Sequence, residues 1–148
     1  MNKGISFKIP NEYGSFLNDI LKGINIKEYT WKINEDEVYF NHAEDLFTSE
    51  VLEGQKFERL IAFPSYYIVF VKLQAFTNPS NLSLIETYAD FINSNCNILI
   101  LICDNIFVDI YAKVSKDIET IKKNACNCNF LEIKYITEVS DKKILNAI

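Results

Sequence analysis

Histidine, arginine, glycine and proline are all scarce in this chain of 148 residues, which holds one His (His42), one Arg (Arg59), four Gly and three Pro. A single His excludes any site that needs two imidazoles from one chain, and with it most zinc hydrolase patterns. The glycines, at Gly4, Gly14, Gly23 and Gly54, are scattered, so there is no phosphate-cradling loop and no Gly-x-Ser-x-Gly elbow. Long apolar runs are missing as well. The longest, Tyr66–Val71 and Ile98–Cys103, stop at six residues, where a membrane span needs roughly 20. No apolar stretch follows Met1-Asn2-Lys3, so a signal peptide is not expected, and the chain is expected in the cytoplasm. An excess of cations is also lacking. With a net charge of −5 the chain does not carry the basic surface that a general nucleic-acid binder uses to displace counterions.

What is present fits one globular domain spanning 1–148. The composition is 49% hydrophobic and 14% aromatic, enough to build a full core. The four cysteines, Cys96, Cys103, Cys126 and Cys128, form no Cys-x-x-Cys pair. They are expected to be buried, reduced thiols, without a disulfide and without a metal site drawing on His42. No cofactor is expected.

Periodicity outlines the elements. Ile5, Phe7 and Ile9 alternate with Ser6 and Lys8 as a half-buried strand. Asn11 is placed to cap a helix whose stripe is Tyr13, Phe16, Leu17, Ile20, Leu21 and Ile24. Residues 28–33 and 37–41 alternate around the turn-like Asn34-Glu35-Asp36, which predicts a hairpin. Phe57, Leu60 and Ile61 suggest a short helix after Gly54. Tyr66–Phe76 and Ile98–Cys103 have the near-continuous apolar character of strands covered on both faces. Between them, Ser83 and Glu86 suggest a capping box, so 66–102 predicts a βαβ unit. Asp104-Asn105 turns into a strand over 106–112, and Ser115 opens a helix to Ala125. A last strand covers 130–139, and Asp141 starts a terminal helix with Ile144, Leu145 and Ile148. The fold class that follows is α+β: a mixed, mainly antiparallel sheet containing one βαβ unit, with helices packed on it. Ile100 and Phe70 are expected to be almost fully buried on its central strands.

Charge is the least even feature. Glu35, Asp36, Glu37, Glu44, Asp45, Glu50 and Glu53 fall between Ile33 and Gln55 with no Lys or Arg among them, while the rest of the chain is slightly basic in balance. Such a run is either a solvated face or a docking surface that steers a basic protein partner. The acids lack the ligand spacing and central Gly of a calcium loop. Glu132-Ile133-Lys134, with Asp109 as a second carboxylate, has the Glu-x-Lys form of a magnesium-dependent nuclease. Against it, the predicted helix 115–125 separates the two strands, and alternation makes Glu132 and Lys134 simply the polar side of their strand. With no catalytic signature elsewhere, two functions stand. One is a non-catalytic interaction protein of inhibitor or immunity type, using the acidic 33–55 surface. The other is a small enzyme or ligand-binding module with a pocket at the sheet edge.

Four strings carry a family resemblance. Gly4-Ile5-Ser6-Phe7-Lys8-Ile9-Pro10-Asn11-Glu12-Tyr13-Gly14, Tyr29-Thr30-Trp31, Tyr66-Tyr67-Ile68-Val69-Phe70 and Ile98–Asp104 resemble an uncharacterised family of short Bacillus-type proteins, a domain of unknown function. The resemblance implies no catalytic residues. The chain departs from the family at Asp141-Lys142-Lys143-Ile144, where the family's end is more polar and bears arginine.

Overall fold

Alternation of apolar and polar residues dictates most of the molecule, and the computed structural model, which describes residues 1–41 and 43–148, shows what that alternation builds. The strands are β1 (Gly4–Lys8), β2 (Thr30–Phe40), β3 (Glu44–Asp45), β4 (Val51–Glu53), β5 (Tyr67–Phe76), β6 (Cys96–Cys103), β7 (Phe107–Ala112) and β8 (Leu131–Ile136). They form one sheet in the order β3-β2-β5-β6-β7-β1-β8, with β4 also paired to β2. Among the described residues four α-helices accompany it: α1 (Phe16–Ile20), α2 (Gly54–Ile61), α3 (Tyr88–Ile92) and α4 (Ser115–Asn127). The architecture is α+β.

One face of the sheet carries Ile5, Phe7, Trp31, Ile33, Leu73, Ile98, Ile100 and Ile110, packed with side chains of α1, α2 and α4. Tyr66 ties these layers together. Its buried hydroxyl accepts from the Leu17 amide at 3.0 Å and donates to the Ile61 carbonyl at 2.8 Å, so one side chain satisfies free backbone groups of two helices. The Trp31 indole N–H donates to Ile26 O at 3.1 Å. Gly54 is required where α2 begins, because a Cβ there would lie 2.5 Å from the Ile26 carbonyl oxygen.

The opposite face has a different cover. Phe76, Leu99, Leu101 and Tyr111 pack under α3 and under two stretches with little regular structure, which contribute Ile85 and Leu145. Burial pushes the Cys96 thiol on this face up to about 12.

Several expectations need correction. Every described strand pairing is antiparallel, β5 with β6 included, so the sheet is not mixed and there is no βαβ crossover. The physical reason is length. A crossover helix must run back along its strand, yet the five-residue α3 covers about 7.5 Å beside the ten-residue β5, which extends about 33 Å. Phe76 faces Cys96 instead, so the chain leaves and re-enters at the same end. The capping box lies at Thr87 and Asp90, not at Ser83 and Glu86. The hairpin expected over 28–41 is one strand, β2, broken by a bulge where Glu35 adopts φ 48°. The first helix shrinks to Phe16–Ile20, and Asn11 accepts from the Tyr67 hydroxyl rather than capping it. Ser115 opens α4 without a side-chain cap. Residues 141–148 form no helix; Ile144 bridges to Thr87, which directs Leu145 into the second core. Ile100 is fully buried, whereas Phe70 is only half-buried. The helix after Gly54, the strands at 67–76 and 98–103, and the Asp104-Asn105 turn (φ 50° and 69°) are as expected.

Candidate interaction site

The acidic segment forms the free edge of the sheet at the β2 end. The strands β3 and β4 are too short to make an edge alone, and each pairs with a different half of β2. Between the acids, Leu46, Phe47 and Leu52 are buried. Phe47 stacks on Phe57 at 5.7 Å and Phe57 on Trp31 at 4.2 Å, so the edge is anchored in the core by aromatic contacts. Backbone bonds from Leu46 N to Val38 O (2.9 Å) and Ile33 N to Glu50 O (2.7 Å) hold it against β2.

This anchoring sorts the seven acids. Asp36, Glu44, Asp45, Glu50 and Glu53 are exposed, while Glu35 and Glu37 are half-buried. None makes an ion pair among the described residues. Although the Asp36 residue is exposed, partial desolvation of its carboxyl by the neighbouring protein, with Asp45 adding to it, raises that group above its ordinary range. Glu35 does not join the outward-facing group. Its Oε1 accepts from the Ala147 amide at 2.9 Å, and its charge faces the buried Lys72, whose Nζ donates to the Ile85 carbonyl. Burial lowers the Lys72 ammonium below its usual range, against the opposing pull of Glu35 and Glu86. Glu50 is tied as well. Asn34 Nδ2 donates to Glu50 Oε1 at 3.0 Å, and Gln74 Nε2 donates to Asn34 Oδ1 at 2.7 Å. A hollow of about 360 Å³ at this edge is lined partly by Asn34, Glu35, Asp36 and Glu50, and three of those four are already bonded within the protein. Lys72, Gln74 and Asn34 were not singled out from the sequence; a lysine and a glutamine inside the apolar run Tyr66–Phe76 were the available signal.

The other candidates fare differently. Asp109 and Lys134 do share one cleft with Ser6, the register partner of both. Strand β1 lies between β7 and β8, which sets the Asp109 and Lys134 backbones about 10 Å apart. Glu132 is engaged by Lys8, Nζ to Oε2 at 2.9 Å. The two carboxylates therefore stand on strands that are not neighbours, and one is already neutralised, which is not the arrangement that holds magnesium. Burial raises the Asp109 carboxyl, with Lys143 and Lys134 pulling the other way. All four cysteines are free; Cys96 is buried and Cys103 half-buried, but Cys126 and Cys128 are exposed at the end of α4, contrary to expectation. His42 lies outside the described residues. Among the described residues no group of three or more His, Cys, Asp or Glu could hold a metal ion, and no helix is long and apolar enough to cross a membrane.

Comparison with known proteins bears out the resemblance of the sequence strings. The family profile described as a protein of unknown function, DUF2691, matches residues 2–145. The uncharacterized protein YncE of Bacillus subtilis (strain 168) is 36% identical over 148 residues, covering 97% of each chain. No solved structure matches.

Proposed function

Because this chain belongs to the DUF2691 family, whose description assigns no activity, we propose from its own geometry that it is a non-catalytic cytoplasmic protein that docks a basic protein partner through its acidic sheet edge. An inhibitor or immunity-type accessory role fits such a surface. The observation that carries the reading is one of sign. Five exposed carboxylates, Asp36, Glu44, Asp45, Glu50 and Glu53, crowd an edge whose segment contains no Lys or Arg and makes no ion pair among the described residues. Charges of one sign leave a field that reaches about 8–10 Å at physiological ionic strength, so they raise encounter rates with an oppositely charged surface. A pocket enzyme at the same edge is less well supported, because Asn34, Glu35 and Glu50 of the hollow's lining already have hydrogen-bond partners within the protein.

Capture from cell extract tests the proposal with three baits: the wild-type chain, a variant carrying Asp36→Asn, Glu44→Gln, Asp45→Asn and Glu53→Gln, and a control carrying Glu132→Gln at the opposite edge. Glu35 and Glu50 stay untouched because they are bonded internally. The expected outcome is a partner retained by wild type and control but lost from the neutralised edge. Equal recovery on all three baits overturns the reading.

A further inference from the structure

Beside the acidic edge lies a hollow of about 590 Å³ lined by Tyr13, Phe40, Asn41, Phe63, Pro64 and Ser65. Three of those six side chains are aromatic, and two stand well open to solvent, Tyr13 at 51% and Phe63 at 37% exposure. The backbone on either side of the hollow is tied together. Gly14 and Tyr66 exchange two backbone hydrogen bonds, 3.0 and 2.9 Å, which hold the segment bearing Tyr13 against the segment bearing Phe63. Phe40 and Phe63 lie 5.4 Å apart with their planes at 56°, and Tyr13 leans on Tyr67 at 5.3 Å. Phe40 is also the last residue of β2 and stands opposite Glu44 in register, with Tyr39 opposite Asp45. Directly opposed residues in an antiparallel pair project to the same side, about 5 Å apart at Cβ. The carboxylate-bearing Glu44 therefore stands beside the ring that enters the hollow.

We infer that this hollow is the anchor pocket for an arginine or lysine side chain of the basic partner, held by the aromatic ring faces and paired with Glu44 at the rim. The inference rests on the interaction reading above and names what the partner must present. Ring faces carry the negative part of the aromatic quadrupole and attract cations. A guanidinium suits such a place because it is planar, weakly hydrated and stacks on rings. Rings carried on hydrogen-bonded backbone and leaning on neighbouring rings lower the entropic cost of closing on the ligand, and a carboxylate at the lip supplies the charge that uncharged rings lack. The pocket thus adds short-range selectivity to an edge that otherwise acts at a distance.

A short arginine–glycine repeat peptide serves as the probe, with its citrulline counterpart as an uncharged control of similar shape. Binding is followed by calorimetry at low and at physiological ionic strength. Phe63→Leu and Tyr13→Leu keep apolar bulk at exposed positions and remove the ring; a pair of substitutions, Glu44→Gln with Asp45→Asn, removes the rim charge. The expected result is that wild type binds the arginine peptide and not the citrulline one. Each ring variant should bind about three- to tenfold more weakly at both salt concentrations, and the rim variant should weaken mainly at low salt. Ring variants that bind like wild type while the rim variant weakens would overturn the pocket and leave the acidic edge standing. Weakening by the ring variants alone would keep the aromatic pocket but overturn its pairing with Glu44 and the acidic edge with it. No binding by wild type, or equal binding of the citrulline peptide, overturns the pocket outright.

Discussion

The two edges of the sheet face the same physical problem and meet it in opposite ways. An edge strand offers unpaired backbone groups to any other chain, and charged side chains or bulges discourage that pairing. At the β8 edge the device is balanced. Glu132 sits in a left-handed bulge at φ 52° and pairs with Lys8, and the Tyr135 hydroxyl is held by the Glu119 carboxylate. At the other edge β3 and β4 are short and carry carboxylates alone. Edge protection is satisfied by paired charges, as β8 demonstrates, so the one-signed field at the acidic edge exceeds what protection needs. That surplus is what the proposed partner would use.

The contrast is sharpest in how deeply each edge is rooted. Phe57 is fully buried and stacks on both Trp31 and Phe47 beneath the acidic edge. Phe57→Ala should therefore cost about 3–5 kcal/mol in urea unfolding. Ile133, half-buried on β8, should cost well under half as much when cut to Ala. Comparable losses at the two sites would break the comparison.

Within the acidic segment, Glu35 and Asp36 should separate cleanly although they are neighbours. Glu35→Ala strips the Ala147 amide of its acceptor and Lys72 of a nearby counter-charge, with an expected loss of about 1–3 kcal/mol and faster amide exchange at Ala147. Asp36→Ala changes an exposed side chain and should stay within about 0.5 kcal/mol. Equal effects would place Glu35 on the docking surface after all.

A pH titration sharpens the comparison from the β8 side. Burial raises the Asp109 carboxyl, so the folded chain holds that proton more firmly than the unfolded chain does. Its favourable contribution is complete below the unfolded value and is lost as pH rises through the folded one. Asp109→Asn should accordingly gain stability relative to wild type on going from acid to neutral pH. A difference that stays flat across that window would contradict the burial argument.

Much of the fold was legible where one periodicity ruled without rivals. The apolar runs of β5 and β6, the two left-handed residues between β6 and β7, and the helical spacing of Ile118, Ile121 and Ala125 each pointed to what is found. Where local chemistry had two outlets, it misled. Asn34-Glu35-Asp36 has turn residues, but the strand register on β5 continues past it, and the surplus residue is absorbed as a bulge. Ile144, Leu145 and Ile148 are spaced for a helix, yet Leu145 N bonds to Glu86 O at 2.8 Å and the segment lies over the second face without regular structure. The acids themselves were legible, and so was their exposure at five of seven positions. The inward turn of Glu35 was not, because its partners Lys72 and Ala147 are remote in sequence and meet it only through sheet order.

The central claim is that the acidic edge acts on a basic partner before contact. It is tested most directly by the association rate of the captured partner as a function of ionic strength, measured for the wild type, the neutralised acidic edge and the β8-edge control. Wild type and control are expected to associate fast at low salt and to slow steeply as salt rises, whereas the neutralised edge is slow and nearly flat, with similar dissociation rates throughout. Identical salt dependences for all three proteins, or a change confined to dissociation, would contradict it.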